Sequence, residues 1–455
     1  MSGSAETGGP WLPGDPRPDR GFRAMFGSLR IRNYRLFCIG QLSANTGQWT
    51  QRVAQDWLVL SITGNATDVG VTVALQFVPS LFFGLPGGLI ADRYPKRRIL
   101  QVTQSGMALM AATLATLTLT HAIRAWHIFL IAFLLGSFSA VDSPTRQSFV
   151  NELVGGSRLR NAISLNSAIF QSGALIGPAL SGVLISLVGP GFSFAINALS
   201  FIAPLTALAL MDSSQFLRPA RAERARGQLR DGLRYVRDRP ALLWPTVMAG
   251  VFGMFAGNLP VTLAALAKYV FRSGAGGYGA LASITAAGAL AGALLTAAGW
   301  PRLRWVVASG LAVASLDMIA SAVSSQLAFS VLLLFVGVFT MTMLASSNSI
   351  VQTTAGDHIR GRVMSVYLLV YLVCAAAGGP LLGAIDQHLG PQVGLFVTGA
   401  VPGTVIALVG VRLAVLSRRA QVGPAPVMAS PPAPRVGPVC GNSANLSDRG
   451  GGREP

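Results

Sequence analysis

Twelve long apolar segments, separated by short polar ones, constrain the fold of this chain most strongly. They lie at approximately 34–61, 67–91, 99–120, 125–146, 162–188, 191–211, 242–268, 275–299, 303–323, 326–350, 361–386 and 392–416. A helix needs about 20 apolar residues to cross the roughly 30 Å hydrocarbon core of a bilayer. Hydrocarbon offers no partner to backbone N–H and C=O groups, so such segments fold as helices. The sequence therefore predicts an all-α membrane protein with twelve transmembrane helices.

The positive charges follow the same alternation. The chain has 35 Lys and Arg residues against 17 Asp and Glu residues, a net charge of +18. Nucleic-acid binding is one use of such an excess, but nearly all of these cations fall in the termini and in alternate loops, which is the positive-inside pattern of membrane proteins. We therefore expect a multi-pass cell-membrane protein with both termini in the cytoplasm and no nucleic-acid partner.

An internal repeat divides the chain. Gly177-Pro178 recurs as Gly379-Pro380, and Gly189-Pro190 recurs as Gly390-Pro391, at nearly the same offset of about 200 residues. Two related six-helix bundles are the simplest explanation, and such repeats enclose a site near the membrane midplane. The predicted division is a cytoplasmic N-terminal segment (1–33), an N-terminal bundle (34–211), a cytoplasmic linker (212–241), a C-terminal bundle (242–416) and a disordered cytoplasmic tail (417–455).

The linker contains an amphipathic pattern. Leu229, Leu233 and Val236 recur at helical spacing, with arginines on the other face. We expect an interfacial helix there.

A basic turn joins the second and third spans. Gly88, Asp92, Arg93, Arg97 and Arg98 lie at spacings similar to Gly-x-x-x-Asp-Arg-x-Gly-Arg-Arg, the hinge motif of the major facilitator superfamily, with proline at position 95 where the family has glycine. The resemblance implies the major facilitator fold, two pseudo-symmetric six-helix bundles. It also implies a gate, in which the hinge acid meets the start of the eleventh helix near Arg362. An ordinary loop whose arginines only fix orientation is the alternative.

Further stretches carry a closer resemblance. Gln55-Asp56-Trp57-Leu58-Val59-Leu60, Asp142-Ser143-Pro144-Thr145-Arg146-Gln147 and Gly361-Arg362-Val363-Met364 are similar to the branch containing enterobactin exporters and macrolide efflux pumps. In the fifth span, Gly173, Gly177, Pro178 and Gly182 resemble the motif of drug/proton antiporters. This resemblance implies outward transport.

Charged residues inside spans are costly and normally face a cavity or a partner. Arg52 and Asp56 lie one turn apart on one helix face. Three roles remain open for Asp56: carrying the coupling proton, neutralising Arg52 permanently, or contacting a cationic substrate. Asp317 is a second proton candidate, and a hydrogen bond to a neighbouring Ser or Thr is its alternative.

Asp142 and Arg146 share the same i, i+4 spacing near the end of the fourth span, and we interpret them as a gating or structural pair. We expect Asp386 and His388 to lie at a solvated helix end.

Several uncharged polar or aromatic residues occupy spans where they would face a central cavity. The substrate-cavity candidates are Gln48, Trp49, Asn166, Gln171, Asn258 and Asn348. Hydrogen bonding between helices is the alternative role for each polar residue in this set.

The motifs of common enzymes are missing from the sequence. The two lysines do not form a phosphate-binding loop, and neither His-Glu-x-x-His nor Gly-x-Ser-x-Gly occurs. We therefore expect no catalytic residues, cofactor or metal. The first hypothesis is a monomeric, proton-coupled exporter of small amphiphilic molecules that works in the lipid bilayer by alternating access. The alternatives are a solute importer of the same fold and a non-transporting membrane sensor or scaffold.

Overall fold

The computed structural model describes residues 27–155, 158–217, 228–297, 303–356 and 359–422. A few side chains within these ranges, including that of Asp92, are not described. Most of the predicted N-terminal segment (1–33) and tail (417–455) lies outside the described residues. The chain forms two units, Met1–Gly410 and Val411–Pro455, and the described part of the second unit is the end of a helix.

All regular elements among the described residues are helices. The α-helices are α1 (Arg32–Thr63), α2 (Ala66–Arg93), α3 (Lys96–Leu119), α4 (Ala125–Val154), α5 (Leu159–Val188), α6 (Pro190–Ser200), α7 (Ile202–Leu210), α8 (Gln228–Arg237), α9 (Pro240–Met254), α10 (Leu259–Ala265), α11 (Gly274–Ala297), α12 (Leu303–Ser321), α13 (Gln326–Thr354), α14 (Arg360–Leu389) and α15 (Pro391–Val422). We call α1–α7 the N half and α9–α15, to Gly410, the C half.

Each predicted span coincides with one helix or with a broken helix. The sixth span is α6 followed by α7, and the seventh is α9, a 3-10 turn at Ala256–Asn258, α10 and a π-helical turn at Leu266–Val270. Eleven spans in the described part of the chain are long and apolar enough to cross a membrane. The all-helical membrane fold is therefore confirmed.

The first helix differs from the other eleven spans. α1 has 32 residues, a length of about 48 Å, so it is long enough to cross a membrane. Its polar residues, however, make it less apolar than the other eleven spans. Several of those residues, Gln41, Asn45, Gln51, Gln55 and Asp56 among them, are buried against other helices. Because lipid does not meet these side chains, their polarity is compatible with a membrane helix. That α1 is the twelfth span stays a prediction.

The repeat is visible in the local backbone. Gly189 and Gly390 end α5 and α14 with φ values of 91° and 93°, in the left-handed region that favours glycine. In both places a proline then begins the next helix, where its missing N–H is not needed. The equivalent sequence positions of the two halves therefore form equivalent corners.

Glycines bring the halves together at one end of the molecule. A Cβ on Gly379 of α14 would lie 2.5 Å from the carbonyl oxygen of Gly70 in α2, and one on Gly383 would lie 2.5 Å from that of Ala66. Only residues without a side chain allow this approach. α5 meets α11 in the same way, since a Cβ on Gly279 would lie 2.5 Å from the Pro178 carbonyl oxygen. We call this the closed end.

Among the described residues, four hydrogen bonds cross between the halves at the closed end. Lys268 Nζ donates to the Leu60 carbonyl oxygen at 2.6 Å, and the Tyr269 hydroxyl donates to that of Gly64 at 2.9 Å. The Ala66 N–H donates to Gln387 Oε1 at 2.9 Å. The fourth bond joins Tyr278 to Asp56 and belongs to the candidate site. The hinge between α2 and α3 lies at the other end, about 42 Å away along the 28 residues of α2.

The linker helix forms where the amphipathic pattern predicts it. In α8, Val236 is buried against helices of the C half, whereas Leu233 is 56% exposed. Gly232 packs against the carbonyl group of Arg362 at the start of α14. The helix therefore docks on the C half through part of its apolar face.

Candidate functional site

Two cavities of about 80 Å³ each lie along the middle of α1. We call the first the N-half cavity, and its lining includes Gln48, Gln51, Arg52, Gln55, Gln76, Ser139 and Asn197. The second, the interface cavity, lies between the halves and is lined by Trp49, Arg52, Asp56, Val73, Gln76, Phe77, Gly257, Asn258, Pro260 and Val261. Arg52 and Gln76 line both cavities. The site is therefore centred on α1 and α2 and completed by the broken seventh span.

Arg52 is exposed and faces these cavities. Its guanidinium carbon lies 5.0 Å from the centre of the Trp49 ring, a cation–π distance. Among the described residues, no acidic side chain forms an ion pair with Arg52 within 4.0 Å, and no hydrogen-bond acceptor pairs with its guanidinium. The cation in the middle of α1 is therefore available to the cavities.

Asp56 pairs with the other half of the protein. Its side chain is 1% exposed, and its Oδ2 accepts a hydrogen bond from the Tyr278 hydroxyl of α11 at 3.0 Å. Its Oδ1 has no hydrogen-bond partner among the described residues. Trp57, the next residue, stacks on the Tyr278 ring with centroids 6.4 Å apart. Of the roles open for Asp56, a close ion pair with Arg52 is not the arrangement found here.

Asn258 holds the break in the seventh span. Its Nδ2 donates to the carbonyl oxygens of Gly253, Met254 and Ala375, at 3.0 to 3.2 Å. The break exposes backbone carbonyls that a continuous helix would pair internally, and this side chain satisfies two of them and ties them to α14. Asn258 is fully buried and lines the interface cavity, where its Oδ1 has no partner among the described residues.

The antiporter-like motif of α5 is a packing surface. A Cβ on Gly173 would meet Asn45 of α1 at 3.0 Å, and Gly177 packs against Trp49 of the same helix. The Thr50 hydroxyl donates to the Gly177 carbonyl oxygen at 3.2 Å. Gly182 faces α11, where its Cβ would lie 3.1 Å from Gly279. The motif thus positions α1 within the N half and forms part of the closed end.

The hinge residues lie at the opposite end. Arg97 donates to the carbonyl oxygens of Ala209 and Met211 at 2.9 and 3.2 Å, which pairs groups at the end of α7. Gly88 lies in the last turns of α2, and Arg93 and Arg98 are exposed. The Asp92 side chain lies outside the described residues, so the predicted gate stays a prediction.

Arg362, the residue expected opposite the hinge acid, has another neighbour. Its Nη1 lies 3.5 Å from Asp231 Oδ2 of α8, and Asp231 is well exposed. An exposed ion pair of this kind contributes about 0–1 kcal/mol. The contact ties the linker helix to the start of α14.

Asp142 and Arg146 form the predicted pair, with Asp142 Oδ2 3.7 Å from Arg146 Nε. The Thr103 hydroxyl also donates to Asp142 Oδ1 at 2.9 Å, and Arg146 Nη1 donates to Gln41 Oε1 at 2.8 Å. The pair is only slightly exposed and links α1, α3 and α4. Whether it gates transport stays a prediction.

Two other acids differ from expectation. Asp386 is 4% exposed and accepts a hydrogen bond from the Thr262 hydroxyl at 2.9 Å, so the expected solvated helix end is wrong for this residue, although His388 is exposed. The sequence could not show that α10 covers the end of α14 and so buries Asp386. Asp317 is 1% exposed, and neither carboxylate oxygen has a hydrogen-bond partner among the described residues. The alternative role considered for Asp317, a hydrogen bond to a neighbouring Ser or Thr, is therefore not found among the described residues.

The remaining cavity candidates separate into two groups. Gln48, Trp49 and Asn258 line the cavities, whereas Asn166, Gln171 and Asn348 line neither of the two. Sequence reasoning missed several participants, among them Gln55, Gln76 and Tyr278. Gln55 lies on the same helix face as the predicted residue Arg52, and Gln76 interrupts an apolar span. The sequence pattern could therefore have indicated both glutamines. Tyr278 carries no such signal, since its role depends on a partner 222 residues away.

Comparison with known proteins decides the family. The model of the transmembrane secretion effector family, a major facilitator type, matches residues 23–440. The chain belongs to this family. It is a membrane transporter of the major facilitator superfamily and not an enzyme.

Curated relatives include transporters with named substrates. The multidrug efflux pump Tap of Mycolicibacterium fortuitum is 26% identical over 84% of this chain and 95% of its own length. The enterobactin exporter EntS of Citrobacter koseri is 25% identical over 83% of this chain and 88% of its own. The staphyloferrin A transporter of Staphylococcus aureus is 34% identical, but the match spans 36% of this chain and 42% of that protein.

Solved structures share the fold at low sequence identity. The nucleoside transporter NupG has a TM-score of 0.66 at 11% identity, covering 84% of this chain and 99% of that one. A bacterial homologue of the lysosomal transporter Spinster, in an inward-facing and unoccupied conformation, has a TM-score of 0.65 at 14% identity, covering 85% and 97%. The architecture expected from the sequence is thus that of known transporters.

Proposed function

We propose that this protein exports small molecules across the cell membrane by alternating access, driven by protons that enter in exchange. The observation that carries this proposal is the position of Asp56. The carboxylate lies beside the interface cavity and is bonded to Tyr278 of the opposite half. A group that titrates at the contact between two moving halves links proton binding to the conformation of the whole protein.

The physical link is the strength of the Asp56–Tyr278 hydrogen bond. An ionised carboxylate accepts a stronger hydrogen bond than a neutral carboxyl group. Protonation therefore weakens one of the bonds that join the halves at the closed end. Among the described residues, the charged or titratable groups that act on this carboxylate are Tyr278 on α11 and Arg52 on its own helix. Tyr371 on α14 interacts with Arg52.

We infer the orientation in the membrane from the distribution of positive charge, and the direction of transport from the related proteins. The cationic loops favour cytoplasmic termini, which places the hinge inside and the closed end outside. The described conformation then corresponds to a carrier closed to the exterior. Relatives named as an efflux pump and a siderophore exporter support export of drug-like or siderophore-like compounds. We propose a monomer as the working unit.

Purified protein in liposomes with an imposed pH gradient tests this proposal. Candidate siderophores and drugs loaded on the hinge side are expected to move out only while the gradient persists. Asp56→Asn keeps the shape of the side chain but cannot ionise, so it should lose gradient-driven export and retain exchange of substrate between the two sides. Export that continues after the gradient collapses, or inward accumulation, would contradict the proposal. The matched control is Asp238→Asn, at an exposed linker position.

A further inference from the structure

Arg52 and Gln55 present two unpartnered donors to the N-half cavity. They are three residues apart on α1, so they lie on one face of the helix. No described residue accepts a hydrogen bond from the Arg52 guanidinium, and Gln55 Nε2 is likewise without a partner although the residue is only 1% exposed. A buried donor without an acceptor is costly, so this arrangement favours a ligand that supplies acceptors.

The charge of the N-half cavity is one-sided. Among the residues that line it, Arg52 carries a charge and the others are neutral. The nearest acid, Asp56, lines the interface cavity instead and directs Oδ2 to Tyr278. An incoming group therefore meets the guanidinium and a set of side-chain amides. Such a surface suits an anion and disfavours a cation.

From this geometry we propose that the N-half cavity binds an acidic group of the substrate, a carboxylate held by Arg52 and Gln55. The inference deepens the proposed function and rests on it. A guanidinium binds a carboxylate through two parallel hydrogen bonds, and the Trp49 ring fixes the guanidinium from the side. The cavity, of about 80 Å³, holds an acidic headgroup only. The rest of the molecule extends past Arg52 and Gln76 into the interface cavity.

The same arrangement suggests how the substrate is released. Asp56 lies one turn from Arg52 and is held by Tyr278 while the halves touch at the closed end. When the closed end opens, Tyr278 moves away with the C half. While Asp56 is ionised, it then competes with the substrate carboxylate for Arg52, and protonation of Asp56 ends that competition. Arg52 therefore takes part in both proton coupling and substrate release.

Equilibrium binding to the purified full-length protein in lipid nanodiscs tests the assignment without any gradient. The probes are matched aromatic acids and primary amides: benzoate and benzamide, 2-naphthoate and 2-naphthamide, and biphenyl-4-carboxylate with its amide. Acids are expected to bind about 10- to 100-fold more tightly than the corresponding amides, the range for a charge-assisted pair. Arg52→Gln should abolish this preference without weakening amide binding, and Arg52→Lys should restore part of it.

Two further variants complete the design. Gln55→Leu removes one donor and leaves the charge, so the preference for acids should fall by about 3- to 10-fold. Arg272→Gln removes an equal charge at an exposed position outside the candidate spans and should leave the preference unchanged. Equal affinity of acids and amides, or failure of every acid to bind saturably, overturns the assignment. Because no gradient is used, that failure is distinct from a failure of proton-coupled export.

Discussion

The Tyr278–Asp56 hydrogen bond should set part of the balance between conformations. Tyr278→Phe removes the hydroxyl that donates to Asp56 Oδ2 at 3.0 Å and leaves the ring in place. Both residues are almost completely buried, at 0% and 1% exposure, so water does not replace the lost donor while the halves are in contact. The change therefore destabilises the closed end selectively.

The size of the effect follows from the charge of the acceptor. A hydrogen bond to a charged group contributes about 1.5–3 kcal/mol. Its loss should shift the ratio of closed to open molecules at this end by about 10- to 150-fold. Tyr269→Phe is the matched control, because Tyr269 also donates across the halves, to the Gly64 carbonyl oxygen at 2.9 Å. Its acceptor is neutral and its ring is 43% exposed, so a shift of about 2- to 10-fold at most is expected.

Distances between spin labels measure this shift. Labels at His121 and Ser324, exposed loop positions of the two halves, report separation of the closed end in a cysteine-free background. Tyr278→Phe should add a population with a longer distance, and Tyr269→Phe should add much less. The reasoning fails if the two variants give the same distribution, or if Tyr278→Phe changes the distances just as much when Asp56 is already replaced by Asn, whose neutral amide oxygen accepts only a weaker hydrogen bond.

Two other predictions follow from the packing. Gly70→Ala should hold the closed end open, because the new Cβ would overlap the carbonyl oxygen of Gly379. Gly84→Ala, on the same helix, has open space around the new carbon and should leave the closed end unchanged. The spin-label distances compare the two variants, and equal distances would refute the glycine contact. Asp317→Leu should raise the melting temperature of the purified protein and leave gradient-driven export intact, because it removes a buried carboxyl group whose oxygens have no described partner. If the variant instead loses export and keeps its stability, Asp317 is a proton carrier.

The sequence predicted the helices well because bilayer thickness imposes a length on each span. The predicted and observed segments coincide in all twelve places, and the largest differences are extensions, such as α4 continuing to Val154 beyond the predicted end at 146. A polar sequence can remain helical beyond the apolar stretch, so hydropathy ends before the helix does. The breaks at Phe201 and after Met254 were not predicted, since each depends on packing within the bundle.

The candidate site was predicted only in part. Arg52 and Asp56 were recognised because charge inside an apolar segment is costly, a property of the segment alone. Their partners could not be recognised in the same way. Tyr278 is an ordinary aromatic residue in an apolar span, and it acquires its role only because α11 of the C half meets α1 of the N half.

The sequence by itself determined that this is a membrane protein, how many apolar segments it has and which residues carry a charge that requires a partner. Each of these is a local energetic property of the chain. Tertiary structure decided which partner each charge has. It turned Asp56 towards Tyr278 and left Arg52 facing the cavities, although their i, i+4 spacing favours a pair. It also buried Asp386 under α10. The physical reason is that pairing depends on distance in space, and the glycine contacts between the halves set that distance.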